Sequence, residues 1–575
     1  MWAMCIVTFI VVAALHIWVY KWRNPKRNGK LPPGSMGLPL LGETLQFFAP
    51  YRTHDISPFI KERLKRYGPI FKTHLLGQSM IVSTDADLNY FVFQQEGSLF
   101  QSCYPYTLSE TFGEQNMGSL HGFLFKYLKN IVLSLFGPVS LQTMLPEVEK
   151  TVVHRLKQWS FRNMVEAKDE IANVIFSLTA GKLISYDSDN SSENIRANFA
   201  TFIKGLISFP VNIPGTAFHK CLQGRKNAMR MLKKLLQERR ANPRKQQRDF
   251  FDYVLEELDK EGTMMNETMA LNLIFLLLFA SYETVSEALT LGMKFLSDHP
   301  SVLQRLTDEH DAILRQREEE GADSGITWGE YKSMAYTFQF INETLRLANI
   351  VPGIFRKVLK DIQFKGYTIP EGWGLIVCPP AVHLNPSIYE DPLTFDPSRW
   401  EGIDTSNASK QFMAFGGGMR LCVGADFAKL QMAVFLHCLV TKYRWEIVGG
   451  GGVVRSPGLQ FPNGLHVRIK DRESAINQIG KKEFSHASRC VNLQKLWFYG
   501  IGIADAIINF EAHNLRDISG DYCRKLSDTT LSLIVAMHEL LECLQLGPDF
   551  CERITSDAIK AMAIFCNKLK KLMLL

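Results

Sequence analysis

The chain has 575 residues, of which 46% are hydrophobic and 21% charged, which predicts a globular protein with a sizeable core, as several domains or one large domain plus an appendage. Its net charge of +7 gives no indication of a nucleic-acid partner and suits an acidic protein partner or membrane headgroups. The 11 cysteines are scattered without CxxC pairs or zinc-type spacing, so we expect reduced thiols, as in a protein that faces the cytosol.

The N-terminus carries an apolar run over residues 2–20, interrupted only by Thr8 and His16. A helix of this length reaches across the ~30 Å hydrocarbon core of a bilayer. Five basic residues follow between Lys21 and Lys30, and such charge stays in the cytosol. A cleaved signal peptide is the alternative, but its charge would precede the apolar run. We therefore predict that residues 1–20 are a single-pass transmembrane signal anchor in the endoplasmic reticulum membrane, with the catalytic domain facing the cytosol.

Residues 21–43 are predicted to be a basic and proline-rich hinge, because LPPGSMGLPLLGE is punctuated by proline and glycine. The run from Ile70 to Ser83 predicts two strands that turn at Gly77 and Gln78.

The remaining pattern predicts a mostly α fold with a minor β region. Helical periodicity dominates from about Leu108 to Leu296. Strand-like pieces lie between Lys357 and Pro380, and a long helix is predicted from about Ala425. Short strands end near Ile469, so one domain over residues 44–470 is predicted.

The C-terminal part differs in character. After a polar linker, residues 471–489, similar stretches begin at Cys523 and Cys551, with a weaker copy at Cys490. A fixed period of this size is typical of a solenoid. The stretches resemble the cysteine-containing leucine-rich repeats of F-box proteins, which implies a short α/β fragment over residues 490–575. A partner-binding module and a fused fragment from a merged gene model are both open, and the missing terminal cap favours the second.

The run FGGGMRLCVG, residues 415–424, places Cys422 just before the predicted helix. Backbone N–H groups at a helix start favour a thiolate, which is a nucleophile or a metal ligand. A nucleophile needs a base, for which the sequence has no local signature, and a buried inert cysteine is the plain alternative.

The wider spacing FxxGxRxCxG, which includes Phe415, Gly418, Arg420, Cys422 and Gly424, resembles the haem-ligand loop of the cytochromes P450, the haem-thiolate monooxygenases. The resemblance implies a cytochrome P450 fold and haem b, with Cys422 as the iron ligand whose electron donation favours O–O cleavage. It implies that Arg420 pairs with a haem propionate and that Phe415 packs near the ligand. Gly418 and Gly424 would let the backbone lie close to the porphyrin.

Glu343 and Arg346, in ETLR, lie three residues apart and hence on one helix face. Alone this is a common surface pair. In the family such a pair bonds an arginine of a downstream loop, here Arg399 in FDPSRW. The resemblance therefore implies a structural triad that holds the cysteine loop in place.

The apolar stretch FASYETVS contains Ala280, Glu283 and Thr284. An acid and a hydroxyl in an apolar helix cost free energy unless they have partners or a task. The resemblance implies that they are catalytic and relay protons to iron-bound oxygen, with Thr284 nearer. Ser281 stands where the family usually has glycine.

Two further cations are implied to contact haem propionates. Lys129, in GFLFKYLKN, can neutralise a propionate without the two-pronged geometry of arginine. Arg356, after VPGIF, is the better second propionate partner.

The segment FPVNIPGTAFHK resembles the plant clan that oxidises sterols, triterpenoids and brassinosteroids, and the closest resemblance is to cucurbitadienol 11-hydroxylase and its relatives. Ordinary core packing is an equal alternative for each implied substrate residue. The implied substrate residues are Leu206, Ile207, Phe279, Ala280, Val351, Ile354 and Phe461.

The implied activity is hydroxylation of an unactivated C–H bond of a tetracyclic triterpenoid or sterol by O2. Electrons would come from NADPH through NADPH–cytochrome P450 reductase. A plant-hormone oxidase acting on brassinosteroids or abscisic acid is a second hypothesis. A non-catalytic haem protein, or an adaptor that acts through the C-terminal repeats, is a third.

Overall fold

The structure is a computed structural model of the chain. It describes residues 2–25, 29–39, 41–52, 54–187, 195–206, 208, 210–243, 249–319, 325–403, 410–456, 458–472, 495–499, 516–521, 540–546 and 570–574. The chain divides into two compact units. The first comprises Met1–Gln158, Met164–His437 and Ile447–Val467, and the second comprises Trp159–Asn163, Cys438–Glu446 and Arg468–Leu575.

Helices dominate the described part of the chain. They are α1 (Trp2–Arg23), α2 (Thr44–Phe47), α3 (Pro58–Tyr67), α4 (Ala86–Gln94), α5 (Tyr106–Phe112), α6 (Gly122–Phe136), α7 (Pro138–Ser160), α8 (Ala167–Ile184), α9 (Ile195–Leu206), α10 (Ala217–Ala241), α11 (Phe250–Leu258), α12 (Glu267–Asp298), α13 (Pro300–Glu319), α14 (Trp328–Ser333), α15 (Ala335–Ala348), α16 (Pro379–His383) and α17 (Ala425–Lys442). Two short 3₁₀ helices cover Pro397–Trp400 and Gly418–Arg420. The prediction of a mostly α protein is confirmed.

Short strands supply the minor β region. They are β1 (Ile70–Leu75), β2 (Gln78–Ser83), β3 (Phe100–Ser102), β4 (Val165–Glu166), β5 (Ile354–Val358), β6 (Ile362–Phe364), β7 (Tyr367–Ile369), β8 (Gly374–Val377), β9 (Tyr443–Gly450), β10 (Val454–Arg455), β11 (Leu459–Gln460), β12 (Leu465–Asp471), β13 (Lys495–Tyr499), β14 (Asp517–Asp521), β15 (Cys543–Leu546) and β16 (Lys571–Leu574). Five of them form one sheet in the order β1-β2-β8-β5-β3. In this sheet Ser102 of β3 lies opposite Arg356 of β5.

The hairpin of β1 and β2 forms as predicted, but its turn lies one residue earlier. The turn residues are Leu76 and Gly77, whose φ values are +54° and +77°, and Gln78 already pairs with Leu75. A two-residue hairpin turn with positive φ at both centres matches the twist of the strands, which fixes the register.

The 32-residue helix α12 runs through the core of the first unit. It begins where Asn266 accepts the N–H of Met269 at 2.9 Å, which caps the helix start. Apolar residues cover nearly all its sides, because α8, α10 and α15 pack around it. Among the described residues, α12 is the single unbent helix with the length and hydropathy of a membrane span. Helices α6 and α7, which meet at a 46° bend, reach that length and hydropathy only together.

Helix α1 carries apolar side chains that no other part of the described chain covers. Phe9 is 75% exposed, and Ile10, Val12, Leu15 and Ile17 are each more than half exposed. Residues Thr8–Trp22 form an apolar helical stretch shorter than a full span. The transmembrane anchor therefore stays a prediction.

In the second unit, β13 to β16 form a parallel sheet in chain order. Arg516, Glu542 and Lys570 immediately precede the last three strands, and the Glu542 carboxylate pairs with Arg516 at 3.4 Å and with Lys570 at 2.9 Å. The leucine-rich-repeat assignment stays a prediction. The predicted linker beyond residue 472 and the repeat starts at Cys490, Cys523 and Cys551 lie outside the described residues.

Candidate active site

A buried ion cluster forms around Glu343 on α15. Arg346 donates to both carboxylate oxygens of Glu343 at 2.8 Å each, and both side chains are fully buried. Arg399 donates its Nε to the same carboxylate at 3.0 Å. The structure thus brings together the three residues of the implied triad.

Two further donors complete this cluster, and sequence reasoning assigned neither. The indole Nε1 of Trp400 donates to Glu343 at 2.9 Å, and the backbone N–H of Asp396 donates at 3.0 Å. Arg346 meanwhile donates to the carbonyls of His383 and Pro392 at 2.7 Å each. The Glu343 carboxylate and the Arg346 guanidinium therefore have hydrogen-bond partners on all sides, which offsets the cost of burying their charges.

His383 connects the ion cluster to the cysteine loop. Its Nε2 accepts the backbone N–H of Met413 at 2.9 Å, and its Nδ1 lies 2.8 Å from Oδ1 of Asn349. Burial, reinforced by Arg346, lowers the pKa of His383 to about 3, so the ring is neutral and keeps the accepting nitrogen. Its place at the head of HLNPSIYEDPLTFDPSRW was the signal that could have revealed it.

The cysteine loop is shaped by its glycines. The N–H of Cys422 donates to the carbonyl of Phe415 at 3.0 Å, which closes the loop. Gly418 has φ +62°, and a Cβ there would lie 2.1 Å from the carbonyl oxygen of Phe93, so only glycine fits. A Cβ on Gly424 would meet nothing within 4 Å, so that side of the loop faces open space.

Cys422 is exposed, and the other five cysteines whose side chains the structure describes are buried or partly buried. Protein atoms nevertheless surround its thiol, and this burial raises the pKa of Cys422, opposed by the Gly424 N–H and by Lys129. The helix start favours the thiolate as expected, but desolvation outweighs it. A bound metal cation would reverse that balance.

One face of α12 also borders open space. Ala280 is exposed and Thr284 partly exposed, one turn apart on a helix that is otherwise largely buried. The hydroxyl of Thr284 donates to the carbonyl of Ala280 at 2.8 Å. The ring of Phe279 packs edge-on against Phe112 and Phe202, with centroids 5.1 and 5.5 Å away.

Glu283 is held on the α8 side of α12. Its carboxylate accepts from Nζ of Lys168 at 3.1 Å. Burial lowers the pKa of Lys168, but Glu283, Glu287 and Glu166 raise it above its usual value overall. Burial and repulsion from Glu283 raise the pKa of Glu287 to about 8. An acidic group with a cationic partner therefore lies next to Thr284 in the chain.

Three cations gather at the other side of the cysteine loop. The Nε atoms of Arg420 and Arg356 lie 2.6 and 2.8 Å from the carboxylate of Glu96. Lys129 donates to the carbonyl of Met419 at 2.7 Å. Burial lowers the pKa of Arg356 despite this pairing, and burial together with Arg420 lowers the pKa of Lys129. The cluster therefore carries more positive charge than its one carboxylate balances.

Comparison with known proteins identifies the family. The model of the family "Cytochrome P450" matches residues 32–468. The chain belongs to the cytochrome P450 family. Among its relatives, cytochrome P450 87A3 of Oryza sativa subsp. japonica is 56% identical over 455 residues, which covers 79% of this chain and 88% of that protein.

Two other relatives of this P450 have names that state a reaction. Beta-amyrin 16-alpha-hydroxylase of Maesa lanceolata is 43% identical, over 82% of this chain and 99% of that protein. Cucurbitadienol 11-hydroxylase of Siraitia grosvenorii is 41% identical, over 81% and 98%. A retinoic acid-bound cyanobacterial cytochrome P450 matches in structure with a TM-score of 0.68 and 29% identity, covering 77% of this chain and all of that one.

As a cytochrome P450, the protein is a monooxygenase that uses haem and electrons from a redox-partner reductase. The residues present fit haem on two counts. The glycine loop presents Cys422 as an accessible residue beside the open space at Gly424, which suits a thiolate ligand to haem iron. The surplus of buried cations fits a group with two carboxylates, because buried charges require partners.

The residues implied to contact substrate fall into separate environments in this P450. Phe279 and Ala280 lie at the open face of α12, and Ile354 approaches the cysteine loop, its Cδ1 3.8 Å from a Cβ built on Gly416. Val351 is 46% exposed and Phe461 is buried. Leu206 is half-buried at the end of α9, and Ile207 lies outside the described residues.

Sequence reasoning missed Glu96 and His121. Besides Glu96, Arg420 contacts Leu120 O at 2.5 Å and His121 Nδ1 at 3.0 Å. Burial lowers the pKa of His121, and Arg420 lowers it further, so the imidazole adds no charge at neutral pH. Neither residue belongs to a recognisable spacing, and both reach the site only through the chain's tertiary contacts.

Proposed function

We propose that the protein is a membrane-anchored haem-thiolate monooxygenase that hydroxylates an unactivated C–H bond of a tetracyclic triterpenoid or sterol. The observation that carries the chemistry is the solvent-accessible residue Cys422, in a glycine loop tied through His383 to the buried Glu343 cluster. The relatives that act on cucurbitadienol and beta-amyrin support the substrate class.

In this proposal Cys422 would hold the iron, and Arg420, Arg356 and Lys129 would hold the propionates. Haem supplies the activation of O2 and the transfer of one oxygen atom to carbon. The protein's own task is to fix the ligand and to keep water from the reacting carbon. The ion cluster around Glu343 serves the first purpose, because Arg346 bonds His383, and His383 in turn holds the backbone that leads into the cysteine loop.

Proton delivery is assigned to Thr284 and Glu283. The Thr284 hydroxyl is a partly exposed polar group at the open face of α12, and it can both donate and accept a proton. Glu283 and Lys168 are 19% and 26% exposed, so their pair joins this helix to solvent. Protons would pass from the pair to Oγ1 of Thr284.

The substrate side is apolar and aromatic. Phe112 and Phe279 are partly exposed beside Ala280 and pack on the buried ring of Phe202, and such an apolar surface binds a hydrocarbon skeleton by burial. Of the implied substrate residues, Leu206, Ile207, Val351, Ile354 and Phe461 are proposed on the resemblance alone.

The anchor, the location and the domain limits belong to the same proposal. The exposed apolar side chains of α1 support a span in the endoplasmic reticulum membrane, because lipid would cover them. The catalytic domain over residues 44–470 would face the cytosol, where NADPH–cytochrome P450 reductase is the electron donor. The in-order parallel strands β13 to β16 support a leucine-rich-repeat-like fragment over residues 490–575.

The test is a spectrum followed by product analysis. Microsomes that carry the wild-type chain should show the thiolate-type band of the reduced carbon monoxide complex, and Cys422→Ala should abolish it. Cys378→Ala, at a buried cysteine away from the loop, is the matched control and should keep the band. A band that survives Cys422→Ala contradicts the haem-thiolate assignment.

Substrate class is tested with reductase and NADPH on cucurbitadienol, cholesterol and a brassinosteroid precursor. A hydroxylated triterpenoid or sterol is the expected product. Turnover of the brassinosteroid precursor alone would replace the proposal with the hormone-oxidase hypothesis.

A further inference from the structure

Glu96 is a buried carboxylate between two arginines that the mechanism places at the haem propionates. Its side chain is 3% exposed, and those of Arg356 and Arg420 are 3% and 9% exposed. Each carboxylate oxygen serves one guanidinium: Oε1 lies 2.6 Å from Nε of Arg420, and Oε2 lies 2.8 Å from Nε of Arg356. Removing this group would leave two buried guanidinium groups without their shared protein carboxylate.

The fold holds Glu96 rigidly in this position. It follows the C-cap of α4, and its Oε1 also accepts the backbone N–H of Ser102 at 3.0 Å. Because Ser102 lies opposite Arg356 in the sheet, strand pairing alone brings the first arginine near. The second arrives because the end of α4 packs against the loop at Gly418 without room for a side chain.

A charge count explains why one carboxylate belongs here. Arg356, Arg420 and Lys129 contribute three positive charges, and Glu96 removes one, which leaves a surplus of two. Haem b carries two propionate carboxylates, so the net charge of these side chains and the propionates together is zero when haem binds. Without Glu96 the same site would keep one unbalanced buried cation, which is costly in a protein interior.

We propose that Glu96 is the fixed counter-anion of the haem-propionate site: it holds Arg356 and Arg420 by their Nε atoms and sets the charge of the site to match two propionates. Glu96 is a positioning residue, since it acts through the two arginines. The proposal rests on haem binding at Cys422 and adds a role for a residue outside the cysteine loop.

The experiment measures the ferric–ferrous reduction potential of the haem-loaded full-length protein by spectroelectrochemistry. Glu96→Gln keeps the size of the side chain and removes one negative charge, so the potential should shift to a more positive value. Arg356→Gln removes one positive charge and should shift it to a more negative value. The double variant restores the balance and should return towards wild type.

Two controls separate charge from structure. Glu96→Asp keeps the charge and should keep a potential near wild type. Glu43→Gln removes a buried carboxylate that also binds an arginine, Arg63 at 2.7 Å, but lies outside the site, so it should lower stability without moving the potential.

Equal potentials in wild type and Glu96→Gln would overturn the proposal, as would an equal shift in Glu43→Gln. If Glu96→Gln retains no haem, Arg356→Gln and the double variant decide, and equal potentials in those two overturn it. Absence of the thiolate-type band in the wild type would instead contradict the proposed function itself.

Discussion

The buried carboxylate of Glu343 offers the sharpest test of how the cysteine loop is supported. Glu343→Gln preserves the side-chain volume but removes the charge that compensates Arg346 and Arg399. The NH2 group of the new glutamine would also face the N–H groups of Arg346 and Trp400, because both carboxylate oxygens of Glu343 accept hydrogen bonds in the folded protein. We therefore expect a large loss of stability and a displaced loop.

The magnitude follows from the burial of the cluster. Glu343 and Arg346 are both 0% exposed, so the full cost of an uncompensated buried charge applies, about 3–5 kcal/mol. For residues 32–468 the entropy of unfolding is roughly 0.9 kcal/mol/K. The expected decrease in Tm is therefore about 3–5 °C.

The assay is thermal unfolding of the haem-loaded protein by circular dichroism, together with the carbon monoxide spectrum, whose thiolate-type band should weaken. Glu238→Gln is the control: its ion pair with Lys234 is 3.9 Å long and exposed, so less than about 1 kcal/mol is expected. If Glu343→Gln costs no more than Glu238→Gln, the Glu343 cluster does not stabilise the cysteine loop.

Three further predictions concern α12 and its ion-pair partner Lys168 on α8. The pKa of Glu287 is raised from 4.5 to about 8, so its stabilising contribution is complete below pH 4.5 and is lost as pH rises to about 8. At about 1.4 kcal/mol for each pKa unit, the free energy of unfolding of Glu287→Gln should exceed that of wild type by roughly 4–5 kcal/mol above pH 8 and should equal it near pH 4.5. The measurement is Tm against pH, and a difference that does not change with pH would contradict this expectation. Thr284→Ala should lower product formed per NADPH consumed and raise hydrogen peroxide, because the proton-donating hydroxyl is lost; unchanged coupling would remove Thr284 from the relay. Lys168→Met should also lower this coupling, while Lys233→Met, which removes an exposed pairing with Glu267, should leave it unchanged.

The sequence predicted those parts of the site that depend on short, fixed spacings. Glu343 and Arg346 are one helical turn apart, and the cysteine loop is a single run, so both could be found along the chain. Lys168 is 115 residues from Glu283, and Glu96 is 324 residues from Arg420, so only the folded packing of α8 and α4 reveals those pairs. The hairpin turn was misplaced by one residue because Leu76 adopts a positive φ that its type does not suggest.

The hydropathy of α12 and its position in the chain bear on how the protein folds during synthesis. Its hydropathy would suit lipid, yet in the folded protein it is covered by α8, α10 and α15. Two of these neighbours precede it in the chain, so their apolar surfaces leave the ribosome before α12 does. A charged side chain near the centre of a span costs about 2.5–3.5 kcal/mol on membrane insertion, and α12 carries Glu283 and Glu287 in its middle. Both the order of synthesis and this acidic pair therefore favour packing of α12 in the protein core over its insertion into a bilayer.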